Sequence, residues 1–187
     1  MPGGYLPLNI FEQRYLDMIR DAMRGEQLIG MVQPKQDHAN ASLHQVGTCA
    51  RIVQYEETQD GRYNIVLKGL CRFKIERELQ TVSAYRIVVP IWSEFKLDYE
   101  EQTVDNEELL AHFRKVLKRY LDQLDIDLKW KAVADAMPAE QLVNSSVCYL
   151  PIDAQDKQLL LETNSLGERI TAFTTILEMG EAEGTMH

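Results

Sequence analysis

Residue types that carry nucleophilic or phosphate chemistry are present in this chain, but their surroundings lack the patterns that such chemistry needs. The 187 residues contain no G-x-x-x-x-G-K-[ST] run, so the glycine loop and lysine that cradle nucleotide phosphates are missing. A nucleophilic serine needs an adjacent base and a defined turn. The sequence shows no such context at Ser42, Ser83, Ser93, Ser145, Ser146 or Ser165. The pattern disfavours both ATP hydrolysis and serine peptidase chemistry.

Potential metal ligands are dispersed along the chain. Cys49, Cys71 and Cys148 are odd in number and form no C-x-x-C pair, which argues against a disulfide framework or a zinc knuckle. We expect three buried thiols in strands and a helix. His38 and His44 share a polar segment with no further Cys or His to complete a tetrahedral site, which indicates a solvated loop. No metal and no cofactor is predicted.

Carboxylates cluster in residues 98–108, which read DYEEQTVDNEE. They lack the alternating ligand spacing and the central glycine of a calcium loop. We therefore predict a solvated linker, with no close basic partner, whose last acids favour the positive end of the following helix. An acid–base enzyme that uses Glu12 or Glu56 with a nearby basic residue stays an open alternative, although no spacing specifies a reaction.

Charge and hydropathy restrict the classes of partner. Twenty-nine acidic residues against twenty basic ones give a net charge of −9, which repels polyanions and argues against a general nucleic-acid role. No apolar run is long enough to cross a bilayer, and no basic leader precedes an apolar stretch. We expect no membrane association and a cytoplasmic location.

The middle of the chain has the period of β-strands. Residues 47–57, an Asp60-Gly61 turn and residues 63–67 predict a hairpin, because Asp-Gly supplies the positive backbone angles of a tight turn. Gly69 predicts a bulge before further alternation of apolar and polar residues. Residues 28–32 and 85–91 predict two more strands, so a small closed or partly open barrel is expected. The residues that alternate beyond the bulge are Cys71, Phe73 and Ile75.

The opening of the chain predicts a turn followed by an amphipathic helix. Gly3 and Gly4 permit turn geometry, and Pro7 keeps the residue before it extended. Asn9 is the predicted N-cap, and Gly25 is the predicted left-handed residue that ends the helix. The apolar stripe of this helix is Tyr15, Met18, Ile19, Ala22 and Met23.

The last third of the chain has a helical period. A broad apolar stripe over residues 109–124 predicts a long helix with a basic outer face. Further helices are predicted from Pro138 to about Tyr149, from near Asp153, and after Ser165. Ser165 with Glu168 three residues later forms a capping box. The polar tail is expected to fray from residue 180.

Three blocks of sequence together resemble the N-terminal, substrate-binding domain family of Lon proteases. They are GGYLPLNIFEQRY at the start, RYNIVLKGLCRFKI in the middle and LPIDAQDKQLLLETNSLGERITAFTTIL near the end. The family's recurring positions are occupied by Gly69, Arg72, Phe73, Lys157, Gln158, Leu160, Leu161, Glu162, Glu168 and Arg169. For Gly69, Arg72 and Phe73 we favour structural roles over ligand contact, with Arg72 in a hydrogen bond or a solvated ladder.

The resemblance implies an α+β fold with a PUA-like β-barrel subdomain followed by a helical-bundle subdomain. We expect the β-rich subdomain over residues 1–97, the acidic linker over 98–108, the helical subdomain over 109–179 and a flexible tail over 180–187. It also implies recognition of protein substrates, without an ATPase or peptidase domain. The predicted function is therefore non-catalytic binding of unfolded or extended protein segments.

A peptide-binding patch is sought among exposed aromatic and apolar side chains, although each candidate could also be core. A regulatory or scaffolding subunit, which uses its helical half to join a larger complex with a separate protease, is the alternative function. RNA binding ranks below both. The candidate patch residues are Tyr5, Leu6, Tyr55, Trp92 and Phe95.

One departure from the family concerns the start of the chain. Members of the family normally have a short strand just before the proline-glycine-glycine turn with which this sequence begins. A missing strand would leave a sheet edge open to a peptide or a second subunit, and it predicts a homodimer formed through that edge.

Overall fold

The chain divides into two compact units in the computed structural model, Met1–Glu100 and Glu101–His187. The structure describes residues 1–36, 38, 41–126 and 136–184, with the backbone alone for 181–184. The first unit is built on a sheet and the second on helices, so the predicted α+β class is confirmed. None of the helices that the structure describes has both the length and the apolar character needed to cross a membrane.

The first unit contains a five-stranded antiparallel sheet in which strand β4 is central. The strand order is β1-β4-β3-β2, and β5 pairs with the later half of β4. The strands are β1 (Tyr5–Ile10), β2 (Leu28–Met31), β3 (Val46–Glu57), β4 (Tyr63–Leu79) and β5 (Ile87–Ile91). The β3–β4 hairpin confirms the predicted Asp60-Gly61 turn, in which Gly61 has a φ of +79°.

The bulge predicted at Gly69 is present, but β4 continues through it as one strand. Cys49 pairs with Cys71 and the next residue of β3 pairs with Gly69, so the intervening residue of β4 is unpaired. The N-terminal turn lies directly over this point, because the Gly69 carbonyl accepts from the Gly3 amide at 2.9 Å. A Cβ atom on Gly69 would lie 2.2 Å from the Met1 carbonyl oxygen, so only glycine fits.

The start of the chain differs from the prediction in two ways. Asn9 lies in β1, which was not predicted, and helix α1 (Gln13–Met23) has Glu12 at its N-cap position. Asn9 alternates with inward-facing apolar neighbours, and pairing with β4 prevails over its capping preference. The left-handed residue after the helix is Gln27, with a φ of 60°, and Gly25 is not left-handed.

Helix α1 covers one face of the sheet and closes the main core of the first unit. Ile19 is fully buried against inward-facing residues of the sheet, as the predicted stripe required. The fully enclosed members of this core are Ile19, Ile29, Ala50, Ile52, Tyr63, Ile65 and Leu67.

A buried ion pair joins β4 to the 3₁₀ segment Ser93–Tyr99. The side chains of Arg72 and Asp98 are 0% and 1% exposed, and their closest N···O distance is 2.7 Å. Asp98 also accepts the Arg72 backbone amide at 2.7 Å, and the guanidinium carbon lies 4.5 Å from the centre of the Phe95 ring. The prediction of a solvated acidic segment without a basic partner is therefore wrong at Asp98, because a charge from a distant strand pairs with it.

The second unit consists of helices α2 (Glu107–Gln123), α3 (Ala139–Tyr149), α4 (Ala154–Glu162) and α5 (Leu166–Gly184) in its described part. Asn106 caps α2 by accepting the Leu109 amide at 2.9 Å. The predicted capping box is confirmed, since Ser165 and Glu168 each accept the other's backbone amide. Helix α5 continues to Gly184, so the expected tail is helical over residues 180–184.

Arg169 holds three helices of the second unit together. Its side chain is fully buried and donates to the Leu160 and Thr163 carbonyls at the end of α4 and to the Asn144 side chain on α3. Burial of a guanidinium requires such acceptors, because the isolated charge is costly to remove from water. The Arg169 position of the family motif is therefore structural in this chain.

We predict that breaking the Arg72–Asp98 pair costs about 3–5 kcal/mol, because the remaining charge stays buried without its partner. Arg72→Met and Asp98→Leu should each lower the urea midpoint strongly, and the double variant should recover much of the loss. Lys74→Met is the matched control, since the Lys74–Glu94 pair is 41% and 47% exposed and is worth about 1 kcal/mol or less. Equal losses for Arg72→Met and Lys74→Met would contradict the prediction.

We also predict that Gly69→Ala lowers the free energy of unfolding by about 1–3 kcal/mol, because its Cβ displaces the N-terminal turn. Gly25→Ala is the control in the same unit, since its nearest neighbour would be 3.8 Å away, an ordinary contact. Denaturant unfolding of both variants measures the difference. Indistinguishable midpoints would refute the close approach.

Candidate functional site

The face of the sheet opposite α1 carries three rows of outward side chains from β1, β4 and β3. Side chains alternate along a strand, so the residues between those of the core face outward. All nine are exposed except Val66, which is half-buried. The rows are Asn9, Asn64 and Glu56, then Pro7, Val66 and Gln54, and finally Tyr5, Lys68 and Arg51.

The first two rows line a shallow depression with a volume of about 540 Å³, and the third row lies beside it. Pro7 and Val66 contribute apolar surface to it, and Asn9, Gln54, Asn64 and Glu56 contribute amide and carboxylate groups. The lining residues are Pro7, Leu8, Asn9, Gln54, Tyr55, Glu56, Asn64, Ile65 and Val66.

Hydrogen-bonding groups and charges are ordered along the outward face, which includes the depression and the row beside it. The Asn9 amide nitrogen donates to the Asn64 side-chain oxygen at 2.7 Å, and both side chains retain further donors and acceptors. At the opposite end, the Lys68 ammonium lies 5.8 Å from the centre of the Tyr5 ring, a cation–π contact. The face therefore has an acidic end near Glu56 and a basic, aromatic end.

An exposed strand borders the depression. β1 stands at one end of the strand order, so its outer edge lies beside the first residue of each row. Pro7 has no amide hydrogen and reduces the pairing capacity of this edge. β1 covers part of one side of β4, and the homodimer through an open edge stays a prediction.

The structure brings only part of the predicted patch to the depression. Tyr5, 45% exposed, is on the outward face beside the depression, and Tyr55, 40% exposed, is one of the lining residues. Tyr55 pairs with Ile65, so by alternation its side chain belongs to the α1 side, where its ring lies 5.0 Å from that of Tyr63. Partial burial and a hydrogen bond with Tyr63 raise the pKa of Tyr55, so its phenol stays protonated at neutral pH. Leu6, 41% exposed, belongs by alternation to the opposite face.

The other two predicted patch residues lie away from the depression. Trp92 follows β5 and packs on Phe73 with 5.7 Å between ring centres, although 39% of it remains exposed. Phe95 is 4% exposed beneath the Arg72 guanidinium, so it belongs to the core. The sequence around an aromatic residue in a polar segment does not indicate which distant residue will pack against it.

The side-chain amides on this face were not predicted as site residues from the sequence. Asn9 was interpreted as a helix cap, and Gln54 and Asn64 were not selected. The alternation of Asn64 and Val66 with buried neighbours carried a usable signal, because it places both on the solvent face. Which strands lie beside them could not be deduced from that period.

The other residues considered for catalysis or metal binding make ordinary surface contacts. Glu12 forms an exposed ion pair with Arg14 at 2.8 Å, and the His38 ring bonds to the Gln36 side chain at 2.9 Å. Among the residues that the structure describes, no group of three His, Cys, Asp or Glu side chains could hold a metal ion.

Comparison with known proteins assigns the chain to a family. Residues 1–179 match the model of the ATP-dependent protease La (LON) substrate-binding domain. The chain belongs to this family. Lon protease from Anaeromyxobacter dehalogenans is 31% identical over 183 residues, which cover 94% of this chain and 21% of that protein. Lon protease from Brevibacillus choshinensis is 26% identical over 180 residues, covering 94% and 23%.

Solved structures of Lon N-terminal domains share the fold. The N-terminal domain of Mycobacterium avium complex Lon protease has a TM-score of 0.71 at 18% identity and covers 95% of this chain and 91% of its own. A Lon N-terminal domain protein from Xanthomonas campestris has a TM-score of 0.66 at 22% identity, covering 94% and 90%. The chain thus spans about a fifth of the length of the Lon protease relatives and nearly all of the isolated domains.

We predict that the outward face of the Lon-family sheet is dispensable for folding. Gln54→Ala/Glu56→Ala removes two exposed side chains and should change the free energy of unfolding by about 0.5 kcal/mol or less per site. Thermal and urea unfolding, compared with the unsubstituted protein, test this. A loss of several kcal/mol would show that these side chains support the fold.

Proposed function

We propose that this chain is a non-catalytic recognition module that binds unfolded or extended protein segments on the outward face of its sheet. The observation that carries the proposal is the match of residues 1–179 to a substrate-binding domain model. The depression on the face opposite α1 supplies a surface of suitable chemistry. A separate protease is the proposed recipient of the bound segments, because the relatives are named Lon protease.

The dimensions of the face suit a short extended segment. Its three rows are separated by two residues along each strand, or about 7 Å, and its three strands are about 5 Å apart. Four or five residues of an extended client, at roughly 3.3 Å each, would cover the rows. The amides of Asn9, Gln54 and Asn64 can donate to and accept from peptide groups, which makes binding tolerant of client sequence.

Charge and apolar contact supply the remaining selectivity. Glu56 at one end and Lys68 with Arg51 at the other favour a client that carries complementary charges. Pro7 and Val66 provide apolar area between them, and the exposed ring of the tyrosine in β1 adds apolar area at the basic end. The net charge of −9 disfavours strongly acidic clients. The cytoplasmic location expected from the sequence remains a prediction.

The proposal predicts that the protein binds a reduced and alkylated, permanently unfolded test protein and not its native, folded form. Fluorescence anisotropy of the labelled test protein measures the Kd. Gln54→Ala/Glu56→Ala should raise the Kd roughly tenfold, since two contact residues are lost from the β3 side of the face.

The matched control removes the same two chemical groups from the α1 side. Gln13→Ala/Glu26→Ala lies on exposed positions of α1 and the loop after it, and should leave the Kd unchanged. Equal weakening by both double variants would argue for non-specific electrostatics. Failure to bind any unfolded protein would overturn the proposal.

A further inference from the structure

Two free cysteines face each other across the central hairpin of the first unit. Cys49 of β3 and Cys71 of β4 are direct register partners in an antiparallel pair, so both side chains project from the same face of the sheet. Directly opposed antiparallel residues have Cα atoms about 4.5–5.5 Å apart, within the range of about 4.4–6.8 Å that a disulfide requires. The backbone therefore already satisfies the main geometric condition for a bond between the two sulfur atoms.

The surrounding structure can accommodate the small approach that bond formation needs. The Cβ atoms of opposed residues are about 4.5–5.5 Å apart, whereas a disulfide prefers about 3.5–4.5 Å. The bulge adjoins the pair, because the register shifts between Cys49 and Ala50 on β3 and the unpaired residue of β4 immediately precedes Cys71. A bulge interrupts the ladder and allows local bending, so the two strands can approach there without displacing the whole sheet.

The two thiols have different surroundings. Tyr99, which is 64% exposed, donates its hydroxyl hydrogen to the Cys71 sulfur across 3.6 Å. This hydrogen bond, with partial burial, raises the pKa of Tyr99 to about 12, so the phenol remains a donor at neutral pH. Burial, with a smaller contribution from Cys71, raises the pKa of Cys49 and keeps it a thiol. Both thiols are buried, with 7% exposure for Cys71 and 8% for Cys49, and Cys71 differs in having the hydroxyl of the exposed Tyr99 as a hydrogen-bond donor.

We propose that Cys49 and Cys71 form a reversible intramolecular disulfide when the protein meets a small-molecule disulfide such as oxidised glutathione. Cys71 is the attacking residue, Cys49 is the resolving residue, and Tyr99 is a positioning residue that stabilises the attacking sulfur. This modification does not require client binding, although strand alternation places the pair on the same face as Arg51, two residues along β3 from Cys49.

The reaction is a two-step thiol–disulfide exchange. The Cys71 thiolate attacks one sulfur of oxidised glutathione, breaks its S–S bond and releases one glutathione thiolate. The Cys49 thiol loses its proton and attacks the Cys71 sulfur of the mixed disulfide, which releases the second glutathione. Two electrons pass to the oxidant, and the two protons of the protein thiols end on two reduced glutathione molecules.

The covalent bond would tie β3 to β4 beside the bulge. A cross-link restricts the unfolded chain, and closing the hairpin segment between residues 49 and 71 should raise the unfolding temperature of the first unit. The Arg72–Asp98 pair is adjacent to the new bond, so the cross-link would stabilise the region that already holds β4 to the 3₁₀ segment.

The test equilibrates the folded Cys148→Ser protein with glutathione buffers of increasing oxidation, followed by acid quenching, alkylation and mass spectrometry. We expect a monomer lighter by two hydrogen atoms, a peptide that links residues 49 and 71, and a higher unfolding temperature. Dithiothreitol should reverse all three changes. Tyr99→Phe should slow the formation of the bond roughly tenfold without preventing it, the effect expected from losing one hydrogen bond to a charged sulfur.

The controls separate this reaction from random oxidation. Cys49→Ser should stop at a glutathione adduct on Cys71, whereas Cys71→Ser should form the adduct on Cys49 far more slowly. In the unsubstituted protein, the half-buried Cys148 should remain outside the disulfide. Two persistent free thiols, adducts alone on the Cys148→Ser protein, or linkage between chains would overturn the proposal.

Discussion

The first unit depends on the hydrogen-bonded ladder along β4. This strand pairs with β1 on one side, with β3 along the other and with β5 over its later half. Two local features support the strand at its bulge. Gly69 leaves room for the N-terminal turn, and the buried Arg72–Asp98 pair connects β4, just beyond the bulge, to the 3₁₀ segment. Loss of either would weaken the contacts that hold the bulged part of β4.

The candidate site is a direct consequence of that ladder. The same two-residue period that buries Ile65 and Leu67 against α1 turns Asn64 and Val66 outward. β1 and β3 then contribute a matching residue to each row, since both are in register with β4. The result is a rigid, amide-lined surface that suits non-covalent contact with an extended chain. The same register also places the free thiols of Cys49 and Cys71 side by side.

The second unit is stabilised by helix packing around a buried cation. Apolar stripes supply most of its core, and Arg169 satisfies carbonyl groups at the end of α4 while it contacts α3. The family motif at these positions is therefore explained by packing and backbone hydrogen bonding. Functional interpretation of the chain consequently rests on the sheet of the first unit and on its membership of the Lon substrate-binding domain family.

Local sequence patterns were sufficient for the Asp60-Gly61 hairpin, the bulge at Gly69 and the capping box at Ser165, because each depends on backbone preferences within a few residues. The α+β class was predicted from the family resemblance. They were insufficient wherever a distant strand supplied the partner. Asn9 became a strand residue through pairing with β4, Asp98 became buried through Arg72, and Phe95 became core beneath the same guanidinium. The grouping of Gln54 with Asn64 and the opposition of Cys49 to Cys71 likewise required strand register. Periodicity specifies which face a side chain occupies, but only tertiary pairing decides what lies across from it.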